Sequence, residues 1–204
     1  MALNVRMGGI LRRGVGRGAV LFDSTIIVPQ HISRQAFCSA QFILFDSLLA
    51  FVLEYRILSC NLFLLYVSTM LHWNCVRKMS VIKIVDIILT ISSVSRMTFI
   101  DIVRFTPYYQ TVWNIHVFTA IVMFVVNETL FYYQVSYTDN RHKTENHFHY
   151  FSLKYTVPNS PARELAYYRN VYTHMFFLHV MIPGSCAICA CRSMMYNYHN
   201  NLSA

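Results

Sequence analysis

Charged side chains are scarce in this sequence. Its 204 residues include 17 lysines and arginines and 9 aspartates and glutamates, so 13% of the chain is charged and 55% is hydrophobic. A soluble domain carries about 25% charged residues. The deficit argues against a soluble domain and favours a chain surrounded mostly by lipid or by partner subunits.

Catalytic motifs are missing as well. The sequence contains no Walker loop, no nucleophile elbow and no pair of catalytic carboxylates. We therefore expect no catalysis by this chain alone, and at most a non-catalytic role in an oxidoreductase complex. The six cysteines lie in or beside apolar segments, which favours packing thiols over a disulfide framework or a metal site. They are Cys38, Cys60, Cys75, Cys186, Cys189 and Cys191.

The longest uncharged stretch, residues 105–127, predicts a membrane-spanning helix. A bilayer core of about 30 Å requires about 20 mostly apolar residues in helical conformation. Trp113 lies near one end of the stretch, and Tyr132 and Tyr133 follow the other. Such amphipathic rings are typical of the two membrane interfaces. This helix is the element around which the other segments are expected to pack.

Three further stretches are candidates for crossing the bilayer. Residues 57–76 are uncharged, and residues 41–52 before them form either the start of one long tilted helix or a separate interfacial helix. Residues 81–105 are apolar but contain several charges. Residues 170–191 are uncharged, and Pro183 with the glycine after it predicts a kink or break there. The predicted fold class is an all-α polytopic membrane protein with four or five transmembrane helices and one longer polar loop.

The chain divides into five parts on this interpretation. Alternating apolar residues in the polar loop, at 148–157, predict a short strand or hairpin, and Ser160 with Pro161 predicts a helix start. The parts are a basic segment (1–40), a membrane domain with three spans (41–135), a polar loop (136–169), the last span (170–191) and a polar tail (192–204).

The basic segment has the pattern of a mitochondrial transit peptide. Arg6, Arg12, Arg13 and Arg17 all precede the first acidic residue, Asp23. Transit peptides are amphipathic, rich in arginine and poor in acids. The positive net charge of +8 is thus interpreted as a targeting and orientation signal, not as a nucleic-acid-binding surface. Residues 33–39 would form a plausible cleavage region. With four spans, the loop with Arg77, Lys78 and Lys83 and the loop from Arg141 to Arg169 would both face the matrix.

Charged residues inside the apolar segments predict contacts with neighbours. Lys83 with Asp86, and Asp101 with Arg104, have the spacing of pairs on one helix face. Arg96 has no such partner in this spacing, and an unpaired arginine at membrane depth is costly. We expect partner helices or lipid headgroups at four charged residues: Asp46, Glu54, Arg96 and Glu128.

Two alternative cofactor sites follow from polar residues in the spans. His116 and His179 would supply imidazole ligands to a b-type haem if they faced each other on adjacent helices. Ser92, Arg96 and Asp101 would offer a hydrogen-bonding cluster to a quinone. A serine four residues before an arginine also resembles the first helix of succinate dehydrogenase membrane anchors, although the histidine beside the arginine is absent. That resemblance implies a haem- or quinone-binding anchor subunit.

A second resemblance concerns residues 83–96. Lys83, Asp86, Ile88 and Leu89, followed by the serine before Arg96, resemble the second helix of bitter-taste-type chemoreceptors. The resemblance implies a chemoreceptor-like membrane protein. The chain departs from that family in having room for four or five spans and not seven.

These observations together favour an accessory subunit of a mitochondrial inner-membrane complex. The basic segment indicates the compartment, the apolar runs indicate the membrane, and the lack of catalytic motifs indicates support of assembly or stability. The complex would be one of the respiratory chain. The expected partners are other membrane subunits and phospholipid, with cardiolipin as a candidate.

Overall fold

The computed structural model describes residues 28–74, 76–77, 80–137, 143–144 and 149–202. Most of the described residues lie in helices. The seven α-helices are α1 (Gln30–Ser39), α2 (Gln41–Val52), α3 (Arg56–Asn74), α4 (Val81–Phe99), α5 (Pro107–Phe131), α6 (Pro161–His174) and α7 (Ile182–Leu202). A 3₁₀ turn, Asp101–Arg104, follows α4, and π-helical segments follow α5 (Tyr132–Ser136) and α6 (Met175–Met181).

Among the described residues, three helical stretches are long and apolar enough to cross a bilayer: Gln30–Val52, Pro107–Ser136 and Pro161–Asn200. The prediction of an all-α membrane protein is confirmed to this extent. The predicted count of four or five spans is not established by the length and composition of the helices. The helix predicted from residues 105–127 corresponds to α5, which begins at Pro107 because proline is favoured in the first helical turn.

Three pairs of successive helices run antiparallel, as their side-chain contacts show: α2 with α3, α4 with α5, and α5 with α6. Ser47 of α2 donates to the carbonyl of Ser59 in α3, at 2.9 Å between Oγ and O. Trp113 near the start of α5 donates to Thr98 near the end of α4, at 3.1 Å between Nε1 and Oγ1. The same pattern joins α5 to α6, where the Nδ2 of Asn127 lies 3.1 Å from the carbonyl oxygen of Asn170.

The turn between α2 and α3 separates the two helices that the sequence left undivided. The backbone N–H of Glu54 donates to the carbonyl of Phe51, and that of Tyr55 to the carbonyl of Ala50. Glu54 adopts a φ of 63°, the left-handed conformation that closes such a helix end. The alternative of two separate helices is therefore confirmed, whereas an interfacial position for residues 41–52 is not, because they belong to the candidate span Gln30–Val52.

Charged residues of α4 are paired differently from the prediction. The Nε of Arg96 lies 3.0 Å from the Oδ2 of Asp101, so Arg96 has a partner within the chain. Arg104, the partner predicted for Asp101, donates instead to the carbonyls of Leu53 and Glu54. The cause is the end of α4 at Phe99 and the tighter 3₁₀ turn after it, which alter the spacing along the helix.

The predicted helix start at Ser160 is confirmed. The Oγ of Ser160 accepts from the backbone N–H of Arg163 at 3.2 Å, and α6 begins at Pro161. The helix then continues through Pro183, where the sequence predicted a kink or break. The irregularity lies just before it, in the π segment Met175–Met181, because a π turn relieves the i→i−4 pattern that proline interrupts.

The polar loop contains little sheet in its described residues. Two short strands, β1 (Lys143–Thr144) and β2 (Tyr155–Thr156), pair in parallel. An antiparallel hairpin within 148–157 is not formed by the described part of that stretch, where only β2 is a strand.

The proposed cleavage region lies inside the folded domain. Residues 33–39 belong to α1, in which Ile32 and Ala36 are fully buried. These side chains pack in one apolar cluster with Trp73 of α3 and Val171 of α6. Cleavage in 33–39 would remove part of that packing. Residues 1–27, which carry the arginines of the predicted transit peptide, lie outside the described residues.

Candidate functional site

A cleft of about 400 Å³ lies among the helices. It is bounded by α2, α3, α4, α5 and the part of the last helical stretch from His174 to Cys186. Its walls are mostly aliphatic and aromatic, with Leu62, Trp113 and Val117 among them. Small-molecule sites in proteins have volumes of about 300–1,000 Å³ and are similarly apolar. The cleft therefore has the size and the composition of a ligand-binding site.

Exposed side chains of α4 and α5 lie along one side of the cleft. Ile87 and Ile91 of α4 and Ile121 of α5 line it and are exposed, which indicates that the cleft opens sideways between these two helices. α5 is one of the helices that are apolar enough to span a bilayer. An opening on this side would lead into hydrocarbon, so a ligand could enter from the membrane.

Asp86 is a cleft residue that accepts two hydrogen bonds. Its Oδ1 accepts from the Oγ1 of Thr69 at 2.6 Å and from the Oγ of Ser68 at 2.8 Å, both from α3. The pair predicted between Lys83 and Asp86 is not formed in the structure, which instead joins Asp86 to α3. Both hydroxyl hydrogen bonds fall on one carboxylate oxygen, and Oδ2 is left unused by them.

Asp46 and Ser93 add polar atoms further along the cleft. Asp46 is buried and lies against Cys186, beside a small adjoining void. Ser93 is 3% exposed, and its Oγ has no hydrogen-bond partner among the described residues. Buried polar groups are normally hydrogen-bonded. The unpartnered Ser93 hydroxyl therefore indicates a place for a polar atom of a ligand or a water molecule.

A cluster of aromatic and imidazole rings forms one wall of the cleft. The ring centroid of His174 lies 4.8 Å from that of Trp73 and 5.1 Å from that of His179. His179 is also hydrogen-bonded to Ser39 of α1, at 2.7 Å between Nδ1 and Oγ. His174 and His179 are five residues apart and meet because the π segment between them has i→i+5 geometry. The cluster fixes α1 and α3 against the last helical stretch.

The two histidines predicted to hold haem b each bond to a serine of another helix. His116 of α5 is hydrogen-bonded to Ser185 of α7, at 2.6 Å between Nδ1 and Oγ. The ring contacts of His179 are with Trp73 and His174. Among the described residues, no group of three or more His, Cys, Asp or Glu side chains is arranged to hold a metal ion.

The residues predicted to hold a quinone do not form one cluster. Arg96 and Asp101 are paired at the end of α4. Ser92 is exposed and accepts from the Nδ2 of Asn61 at 3.4 Å. The neighbouring Ser93 is the serine that lines the cleft.

The four residues predicted to contact partners occupy different environments. Asp46 lines the cleft, and Arg96 is paired within the chain. Glu54 is exposed in the α2–α3 turn. Glu128 accepts from the Nδ2 of Asn170 at 3.4 Å.

Sequence reasoning missed Asp86 and Thr69 as site residues. Their signal was present, since a carboxylate and hydroxyl groups occur in consecutive apolar segments that were expected to pack together.

No protein-family model matches this chain, and neither a curated protein nor a solved structure matches it.

Proposed function

We propose that this chain is a multi-pass membrane protein that binds a small, mostly apolar molecule in the cleft between α2, α3, α4 and α5. The observation that supports this function is the lateral opening lined by Ile87, Ile91 and Ile121. A molecule dissolved in the bilayer would reach the cleft without crossing water. Apolar walls with a few placed polar groups are the usual composition of such sites.

In this proposal the three candidate spans, together with α3 and α4, all cross the bilayer. α3 and α4 have 19 residues each, and α3 packs between α2 and α4. The outer face of α4 is apolar, with Ile88 and Ile91 exposed, while Asp86 and Arg96 have partners inside the protein. Charges that point inward and are paired make a span tolerable. Labelling of single cysteines from the two sides of the membrane would test the number of crossings.

Ser93→Phe is expected to close the cleft to a ligand. A phenyl ring at this buried position would occupy part of the void, whereas Ser92→Phe would place the same ring on the exposed side of α4. Photolabelling with an uncharged long-chain alkyl diazirine, in nanodiscs of phosphatidylcholine, gives the readout. In the unsubstituted protein, mass spectrometry should find label on the buried cleft residues Met97 and Val117.

The Ser93→Phe variant should lose that label while keeping the label on outward-facing Ile88. The Ser92→Phe variant should keep both. Equal labelling of Met97 and Val117 in all three proteins, or label confined to outward-facing residues in the unsubstituted protein, would contradict the proposed function.

A second proposal concerns the assembly in which the chain works. We propose that it is an accessory subunit of a mitochondrial inner-membrane complex of the respiratory chain. The support is the arginine-rich, acid-poor start of the sequence, which is the pattern of a mitochondrial transit peptide. Native gels of gently solubilised mitochondria would show the chain in a large assembly, and its absence from mitochondria would reject this proposal.

A further inference from the structure

The charge inside the cleft is of one sign. Asp46 and Asp86 both line it, whereas no lysine or arginine is among the described residues that do. In addition, no cationic side chain of the described part of the chain forms an ion pair with Asp86. A carboxylate surrounded by apolar walls is costly unless it is paired or hydrogen-bonded. The hydroxyls of Ser68 and Thr69 give Asp86 hydrogen bonds but no counter-charge, which a positively charged ligand group would supply.

The geometry around Asp86 is suited to that role. The hydroxyls of Ser68 and Thr69 both donate to Oδ1 and hold the carboxylate in one orientation. Oδ2 accepts neither of these bonds and is free to accept from a ligand. A carboxylate that is fixed before binding loses little conformational entropy when the ligand arrives.

The rest of the cleft fits an apolar tail. Beyond Asp86 the walls are formed by Ile87, Ile91, Val117 and Ile121, which continue to the lateral opening. A ligand that enters from the bilayer would therefore carry an apolar body and a single polar end. Charge-assisted hydrogen bonds are about twice as strong as neutral ones, so the charge of that end determines specificity.

We propose that the ligand class of this cleft is a lipophilic amine, whose ammonium group binds Asp86 and whose apolar tail lies against the aliphatic wall of α4 and α5. This inference rests on the proposed function and names the substrate class of the same site. The ammonium donates to Oδ2 of Asp86. The unpartnered hydroxyl of Ser93 lies about two helical turns further along α4, beside the tail region, where a water molecule would satisfy it.

A matched pair of photoprobes tests the inference. Both probes carry the same alkyl diazirine chain, and one ends in a primary amine while the other ends in a hydroxyl group. They are applied to the full chain in nanodiscs of zwitterionic phosphatidylcholine, so that the bilayer does not concentrate the cation. The concentration of each probe that gives half-maximal labelling of Val117 is measured at pH 7.

The amine probe should half-saturate the cleft at a concentration about tenfold or more below that of the alcohol probe, because a hydrogen bond to a charged group is worth about that factor or more. Asp86→Asn should abolish the difference. Asparagine keeps an Oδ1 that accepts from Ser68 and Thr69, so this variant is expected to fold. Glu54→Gln, at an exposed carboxylate outside the cleft, is the control and should retain the preference for the amine. Asp46→Asn tests the other carboxylate of the cleft as the alternative anchor.

The outcomes separate this inference from the proposed function. If both probes label Val117 with equal affinity and Asp86→Asn changes neither, the cleft binds lipophilic molecules but the amine assignment is wrong. A preference lost in Asp46→Asn and kept in Asp86→Asn would overturn Asp86 as the anchor. If neither probe labels the cleft, the proposed function fails together with the inference.

Discussion

Substitution of Arg163 by leucine is expected to destabilise the fold by about 2–4 kcal/mol, because it leaves two buried carbonyl groups without donors. Arg163 is 7% exposed. Its Nε lies 3.1 Å from the carbonyl oxygen of Thr156 and 2.8 Å from the Oγ1 of that residue, and its Nη1 lies 3.1 Å from the carbonyl oxygen of Val135. One side chain thus joins the end of α5, the strand β2 and the start of α6.

Neighbouring bonds depend on the same side chain. Thr156 also donates to the carbonyl of Gln134 at 2.7 Å, and Gln134 donates to the carbonyl of Ser152 at 2.6 Å. Loss of Arg163 would weaken this network as a unit. We therefore expect the connection between α5 and α6 to become susceptible to proteolysis as well as less stable.

Unfolding of the purified protein in detergent, monitored by circular dichroism, provides the measurement for Arg163→Leu. Arg163→Lys should have an intermediate effect, because it keeps the charge but loses the planar fork of donors. Arg34→Leu, at an exposed position of α1, is the control and should change stability by no more than about 0.5 kcal/mol. Equal stability of Arg163→Leu and the control would show that the network does not hold α5 and α6 together.

The second large effect is expected at Trp113. Truncation to alanine should cost about 3–5 kcal/mol. The side chain is 1% exposed, lines the cleft and lies where α4 and α5 meet. In lipid the loss arises mainly from missing van der Waals contacts, since the hydrocarbon provides no hydrophobic driving force between helices. The variant should also admit bulkier ligands, because the void left by the indole joins the cleft.

Two milder variants separate the contribution of the indole's packing from that of its hydrogen bond to Thr98. Trp113→Phe keeps most of the ring volume and loses the hydrogen bond to Thr98, and Thr98→Val removes the same bond from the other side. Each should cost about 1 kcal/mol. Thermal unfolding in nanodiscs and the largest photoprobe that labels Val117 are the two readouts. If Trp113→Ala is as stable as Trp113→Phe, the indole does not pack as the structure shows.

The sequence predicted those elements that depend on local signals. The uncharged run at 105–127 identified α5, whose length is set by the bilayer, and Ser160 with Pro161 identified the start of α6, whose cap is a local hydrogen bond. The sequence did not predict whether the helix ends after Val52 or continues. A left-handed helix end is usually signalled by glycine, and here the left-handed residue is Glu54.

The site was less predictable because it depends on how the helices are rotated. α4 is apolar on both its outward face and its cleft face, so its pattern does not distinguish Ser92 from Ser93. Arg96 and Asp101 are five residues apart, a spacing that does not pair along an α-helix and becomes favourable only through the 3₁₀ turn. Ion pairs and site residues that depend on tertiary packing cannot be predicted from the residue spacing within one segment.

The π segment between α6 and α7 sets the rotation of α6 about the helix axis relative to α7. A π turn is equivalent to one additional residue accommodated within an α-helix, and each α-helical residue corresponds to about 100° of rotation. Deleting a single residue from Met175–Met181 would therefore turn all of α6 by about a quarter of a revolution relative to α7. Asn170 would then face away from Asn127 while Ser185 still faced His116. The length of this segment, more than its chemistry, decides whether the two halves of the helix can bind α5 at the same time.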